Sequence, residues 1–244
     1  MNKVVTICAI SSLMVSFSSV IQAQDEEKDS LLIGIGIMSE SGVYQDISGE
    51  ADPVPIIIGE YGGFWFEQTT VGYTFFESEV LSLSPIINFA LDGGYDPKDA
   101  DANSQLYTGL ESLNSTIEAG LSLEIEAGPL EAEFRYLTDV GSEHKGDIFS
   151  VSLGNDIELM DNRLVLEPTI GFSWVSKEYN QYYYGVTAQQ SNAFRSAYTA
   201  DSGLNYEFSL SSRYKVGKRL YLLGRLAYDK YCLLYTSPSP RDRG

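Results

Sequence analysis

The chain holds one histidine, His144, set between Glu143 and Lys145. Histidine beside a carboxylate is the pairing used in acid–base and nucleophilic catalysis, which also needs a nucleophile held on a rigid scaffold. No distinctive serine motif accompanies His144, and its surroundings read as a loop. No catalytic residue is assigned, and an enzyme is not expected. A second group is acidic: Asp92, Asp96, Asp99, Asp101 and Asn103 crowd one stretch. Asp99-x-Asp101-x-Asn103 has the alternation of a calcium loop, but Ser104 stands where such a loop turns on glycine and Leu110 where it needs glutamate. The reading is a solvated acidic loop, with no metal or other cofactor expected; loose divalent bridging to lipopolysaccharide is the alternative. A third group is Tyr182, Tyr183 and Tyr184. These are either exposed aromatics of the kind that anchor partners or rings folded back over the elements beneath.

Those elements are defined only after the two ends are set aside. Met1–Ala23 has the form of a secretory signal: Lys3, an apolar run from Val4 to Val20, then Gln22-Ala23 before the acidic Gln24-Asp25-Glu26-Glu27. At the other end, Cys232-Leu-Leu-Tyr-Thr-Ser-Pro-Ser-Pro-Arg-Asp242 breaks the pattern of everything before it. It looks like the translation of a transposase adapter used in sequencing libraries. Residues 232–244 are therefore read as a scar on a fragment whose true C-terminus is missing. Trimming both ends removes Cys8 and Cys232, so neither a disulfide framework nor a cysteine-held metal is expected. The remaining residues 24–231 carry 13 bases and 33 acids, a net charge of −20 that disfavours nucleic acid as a partner.

The middle of the chain alternates with a period of two, the signature of strands between two different solvents. Ile117, Ala119, Leu121, Leu123 and Ile125 share one face, and Glu118, Ser122, Glu124 and Glu126 the other. After Ala127-Gly128-Pro129, Leu130, Ala132, Phe134 and Tyr136 oppose Glu131, Glu133 and Arg135. Four further segments follow the same rule, with Glu167, Arg213 and Arg225 on polar faces and Phe172, Trp174, Phe208 and Leu226 on apolar ones. Strands of about eleven to thirteen residues exceed the globular average and suit a tilted bilayer crossing.

A soluble barrel would also alternate, with its apolar face inward. Against it stand the bulk of the aromatics on the apolar face, their position near strand ends, and the asymmetry of the connections. Tight turns at 127–129, 160–162 and 217–218 alternate with longer loops at 91–113, 140–146 and 176–202. The expected fold is all-β: an antiparallel transmembrane β-barrel over residues 24–231 in the outer membrane of a Gram-negative type of bacterium. Glu118, Glu124, Glu131, Glu133, Arg135, Glu167 and Arg213 line its lumen. The N-terminal quarter fits less cleanly. Segments 31–38, 54–61, 63–76 and 79–90 are strand-like, with 54–61 running outward and 63–76 inward. A short inward strand near Ser41–Ile47 would repair the sidedness and give twelve strands when complete, eleven of them present; ten is the alternative.

Gly171-Phe-Ser-Trp174, Tyr179-Asn-Gln-Tyr-Tyr-Tyr-Gly-Val-Thr187, Ala193 and Tyr198-Thr-Ala-Asp-Ser-Gly203 form a series in this chain. It resembles the MipA/OmpV family of outer-membrane proteins, whose members carry a similar Trp, Tyr-Tyr-Gly-Val and Tyr–small–Gly order. Gly34, Gly36, Pro53, Pro55 and Gly72-Tyr73 also fit. The resemblance implies a scaffold for peptidoglycan synthesis, linking a lytic murein transglycosylase to a penicillin-binding protein. It supplies Trp174, Tyr182, Tyr183, Tyr184 and Gly185 as binding candidates and no catalytic residues. The acidic lumen offers a different function, a small cation-preferring diffusion channel. In either case the protein meets outer-membrane lipid and lipopolysaccharide.

Overall fold

The computed structural model describes residues 9–21, 30–39, 44–49, 51–91 and 94–231. The cleavage point at Ala23, Asp92 and the scar at 232–244 lie outside the described residues. Among the described residues, fourteen strands form one sheet.

The six alternating segments fold as long strands: β8 (Thr116–Ala127), β9 (Leu130–Asp139), β10 (Asp147–Asn155), β12 (Leu164–Val175), β13 (Gly203–Lys215) and β14 (Leu220–Tyr231), numbered by their place in the chain. A three-residue β11 (Ile157–Leu159) continues β10 and pairs with β12. Their register confirms the two faces. One row runs Ile125, Ala132, Leu153, Ile170, Phe208, Tyr228 across β8 to β14. A row on the other face runs Ser122, Arg135, Ser150, Ser173, Asn205.

The N-terminal half differs from expectation. β2 (Ser30–Ser39) runs outward, but β3 (Ala51–Tyr61) runs inward, antiparallel to it. The stretch read as one strand, 63–76, is a hairpin of β4 (Phe64–Glu67) and β5 (Thr70–Tyr73), turning at Gln68, whose φ is 55°. Β-turn glycines Gly62 and Gly63, at φ 58° and 85°, join β3 to β4 in the left-handed geometry that a two-residue hairpin loop demands. Tyr44–Ile47 forms no strand and Ile47 bridges to Ala100, while Ser41, Gly42 and Val43 lie outside the described residues. The split of 63–76 restores the sidedness. A short β6 (Phe76–Glu77) and β7 (Leu81–Ala90) lead into β8. Pro53 and Pro55 lie on the half of β3 that has β2 as its one neighbour, where a missing N–H costs no second ladder bond.

β10 pairs with both β9 and β12, and the segment read as a leader, β1 (Ala9–Ile21), pairs antiparallel with both β2 and β14. The pairings thus return on themselves. β1 runs antiparallel to β2, and therefore inward. Closing the ring leaves few backbone N–H and C=O groups unpaired, those on the free side of the outer half of β3 among them.

The apolar face is the outer one. Ile35 is 64% exposed, Leu121 50% and Phe208 51%, while the inward Ser122 is 1% exposed and Glu118 3%. In water each such Leu, Ile or Phe would forgo roughly 1.5–3 kcal/mol of burial. Surrounding hydrocarbon supplies it, which rejects the soluble barrel. Inside, Trp65 lies over Gly72: a Cβ there would sit 2.1 Å from the indole. The Trp65 Nε1–H donates to Ser84 Oγ at 3.2 Å.

Candidate functional site

Two constellations hold polar and aromatic groups together: the lumen wall and a cap over the outer mouth. On the wall, Glu124 and Glu133 sit directly opposite each other, as do Glu126 and Glu131, an arrangement that is repulsive by itself. It is relieved locally. Ser122 Oγ and the Arg135 guanidinium both donate to Glu133 Oε1, at 2.6 and 2.5 Å, and Ser82 Oγ donates to Glu124 at 3.1 Å. Glu167 accepts from Thr169, and Arg225 donates to Glu207 Oε1. The expected lining residues share the inward face of their strands. Glu118 is enclosed, while Glu131 and Arg213 stand exposed at the periplasmic end.

The cap is built from the outer loops. Ser176 caps the helix α1 (Lys177–Tyr184): its Oγ accepts from the N–H groups of Tyr179 and Asp147. The helix buries Asn180, Tyr183 and Tyr184, one face at i, i+3, i+4 spacing. It ends at Gly185, where a Cβ would collide with the Gln181 side chain. Tyr183 and Tyr184 pack with Tyr44, Ile47, Tyr95, Leu106, Tyr107 and Leu110 in a small apolar core. Tyr44 meets Tyr95 edge-on, with ring centroids 5.1 Å apart. Polar bonds stitch the loops: Tyr107 OH donates to Gln45 O at 2.6 Å, Ser104 Oγ to Asp46 at 2.9 Å, and the Asn114 N–H to Tyr182 OH at 2.8 Å. Burial pushes the Tyr182 hydroxyl above the ordinary tyrosine range. Arg195, 2% exposed, donates to the carbonyls of Leu106, Thr108 and Gln190, which locks the last loop to the acidic one.

His144 joins the cap to the wall. Its ring is buried, with Tyr179 at 5.0 Å between centroids. The Gly146 N–H donates to Nδ1 at 3.0 Å, so in the neutral ring the proton sits on Nε2 and is donated to Glu118 Oε1 at 3.1 Å. Glu118 Oε2 accepts from Asn88, whose own Oδ1 accepts from Thr69 and Thr70. The chain of bonds thus runs from an outer loop through β8 and β7 to β5. Both ring nitrogens are engaged in holding structure.

Several sequence-derived candidates therefore change character. Tyr183 and Tyr184 are not an exposed partner patch: they are the floor of the cap, because the loop apolar groups have no lipid to face and bury each other. Trp174, 42% exposed, lies on the lipid face near the outer end of β12. Asp99, Asp101 and Asn103 do not converge. Asp99 ends a short 3₁₀ turn, Asp101 donates its N–H to Asp46 O, and Asn103 is exposed. Among the described residues no three His, Cys, Asp or Glu side chains could hold a metal ion. The backbone N–H of Lys98 holds Asp96 below the usual carboxylate range. Sequence reading missed Arg195, Trp65 and the tyrosines at 44, 95 and 107. For Tyr95, Tyr107 and Arg195 the one visible signal was an excess of large aromatic and cationic groups in stretches otherwise read as loops.

The family model described as MltA-interacting protein MipA matches residues 33–233. The Escherichia coli (strain K12) protein YiaT, whose name places it in the outer membrane, is 24% identical over 82% of this chain and 80% of its own length. The outer membrane protein OmpV of Vibrio cholerae is 29% identical over 50% of this chain and 47% of its own. The MltA-interacting protein of Escherichia coli (strain K12) is 28% identical over 69% of this chain and 65% of its own. With its outward apolar belt and its alternation of tight turns and long loops, the chain is an outer-membrane β-barrel protein belonging to the MipA family.

Proposed function

We propose that this barrel is a non-catalytic interaction platform, tethering peptidoglycan synthesis and turnover to the outer membrane. Its partners on this reading are a lytic murein transglycosylase and a penicillin-binding protein, with lipid and lipopolysaccharide around the belt. The observation that carries the reading is the cap. The outer loops bury Tyr44, Tyr95, Tyr107, Tyr183 and Tyr184 against one another over the mouth, and Arg195 and His144 lock them down. A barrel covered in this way on the outside offers its accessible end to the periplasm, where wall enzymes work. The name of the relative that interacts with MltA supports the same direction. The second reading, a cation-preferring channel, draws on Glu124, Glu126, Glu131 and Glu133 along the lumen. It requires the cap to open.

Affinity capture with the refolded protein from periplasmic extract, followed by identification of bound transglycosylase and synthase, tests the platform. Planar-bilayer recording tests the channel. Retention of wall enzymes with no conductance is expected; steady cation-selective steps without retention would overturn the platform.

A further inference from the structure

We infer that the two periplasmic turns, β11 to β12 and β13 to β14, form a basic cradle that receives an acidic peptide segment of a periplasmic protein. This deepens the platform reading by naming the chemistry of its partner, and it rests on that reading for the partner's compartment.

The chain has 16 Lys and Arg against 34 Asp and Glu, yet Arg163, Arg213, Lys215, Lys218 and Arg219 gather at one end of three neighbouring strands. The Lys215 N–H donates to Arg163 O at 2.7 Å, which sets the two turns side by side. The Arg163 guanidinium lies 5.7 Å over the Tyr214 ring. Between the turns is a cleft of about 530 Å³, lined by Asp161, Asn162, Arg163, Lys215, Gly217 and Lys218. Asp161 is the one carboxylate on that lining.

Three cations elsewhere in the chain are ion-paired. Arg135 pairs with Glu133, Arg225 with Glu207 and Lys98 with Asp96. Among the described residues, none of the five cradle cations makes an ion pair. The other periplasmic turns are acidic: Glu60 precedes Gly62-Gly63, Glu77 and Glu79 flank Ser78, and Glu126 and Glu131 flank Gly128-Pro129. One side of the rim therefore attracts an anionic partner, and the other side turns it into a single orientation.

Strand parity decides which anion. Arg213 and Lys215 fall on the face of Ser211 and Glu207, the water side of the wall, while Tyr214 and Leu222 take the lipid side. Arg213 and Lys215 therefore open toward the periplasm rather than toward lipid headgroups. Three strands span about 10 Å at their usual spacing, and carboxylates on alternate residues of an extended peptide recur about every 6.6 Å. Cations this close together match a run of carboxylates rather than the sparse ones of a glycan polymer.

The test uses the full chain refolded in detergent micelles and a fluorescent octaglutamate peptide read by anisotropy. The expected result is binding that weakens as salt rises and falls at least about tenfold in a Lys215→Glu/Lys218→Glu variant. Lys98→Glu/Lys177→Glu, at the outer loops, should leave it unchanged. Both pairs are exposed, and heat-dependent gel mobility reports that each variant has folded. Absence of octaglutamate binding, equal binding by the cradle variant, or charge-dependent binding of purified murein that octaglutamate does not compete would each overturn the cradle. If octaglutamate binds as described while no wall enzyme is captured, the cradle stands and the murein role falls.

Discussion

The belt and the cap of this molecule bury opposite kinds of side chain. Around the belt, Ile35, Leu121 and Phe208 face outward and Glu118, Ser122 and Arg135 face inward. In the cap, Tyr44, Tyr95, Tyr107 and Tyr184 turn inward, and Glu111, Asn103 and Lys177 turn to water. The residue types are similar in the two regions; what differs is the solvent. Hydrocarbon accepts the apolar face of a strand and forbids its charges, whereas water does the reverse, so each region sorts its side chains by its own surroundings. His144 and Glu118 stand at the boundary, where the cap's buried ring meets the wall's buried carboxylate.

The contrast can be broken most forcefully in the belt. Leu121→Arg, near the middle of β8, should lower stability by about 2–4 kcal/mol in urea titrations of the barrel in lipid, and an unchanged midpoint would remove the lipid assignment of that face. His144→Ala comes next. It leaves Glu118 buried without its partner, at a cost of about 1–3 kcal/mol. Limited proteolysis should then cut the loops at 140–146 and 176–202 faster while the strands stay protected. Gly72→Ala forces the Trp65 ring from its seat, for about 1–3 kcal/mol, and should shift indole fluorescence. The smallest effect is in the cap. The folded Tyr182 hydroxyl titrates above the ordinary value, so the stability this gives is present at neutral pH and is lost as pH rises through the unfolded and then the folded pKa. Ultraviolet difference titration of wild type against Tyr182→Phe should lose a late-titrating tyrosine, and identical curves would contradict the half-buried placement.

How much of this was legible in the sequence follows the same division. In β8 to β14 the apolar side chains gather on one face and most charges on the other, because a slip by one residue would carry Arg135 or Arg225 into lipid, and so their faces could be read directly. The β4–β5 hairpin was not legible. Phe64-Trp65-Phe66 puts aromatics on both faces, and Gln68 adopts a left-handed φ of 55° without glycine, proline or asparagine to announce the turn. The inward-facing site residues followed from parity alone. The cap did not, since nothing periodic ties Tyr44 to Tyr184, and His144 reaches Glu118 across 26 residues of chain. The cradle cations were each visible in the sequence, and only the pairing of β12, β13 and β14 brings them together.

The central claim is that lipid lies outside the wall and the polar interior within it. The two tryptophans of the chain report on it from opposite sides, Trp174 on the outer face and Trp65 inside over Gly72. Quenching by brominated lipids should be strong in Trp65→Phe, which leaves Trp174, and weak in Trp174→Phe, which leaves Trp65. Strong quenching of Trp65 with Trp174 untouched would contradict the assignment of the two faces.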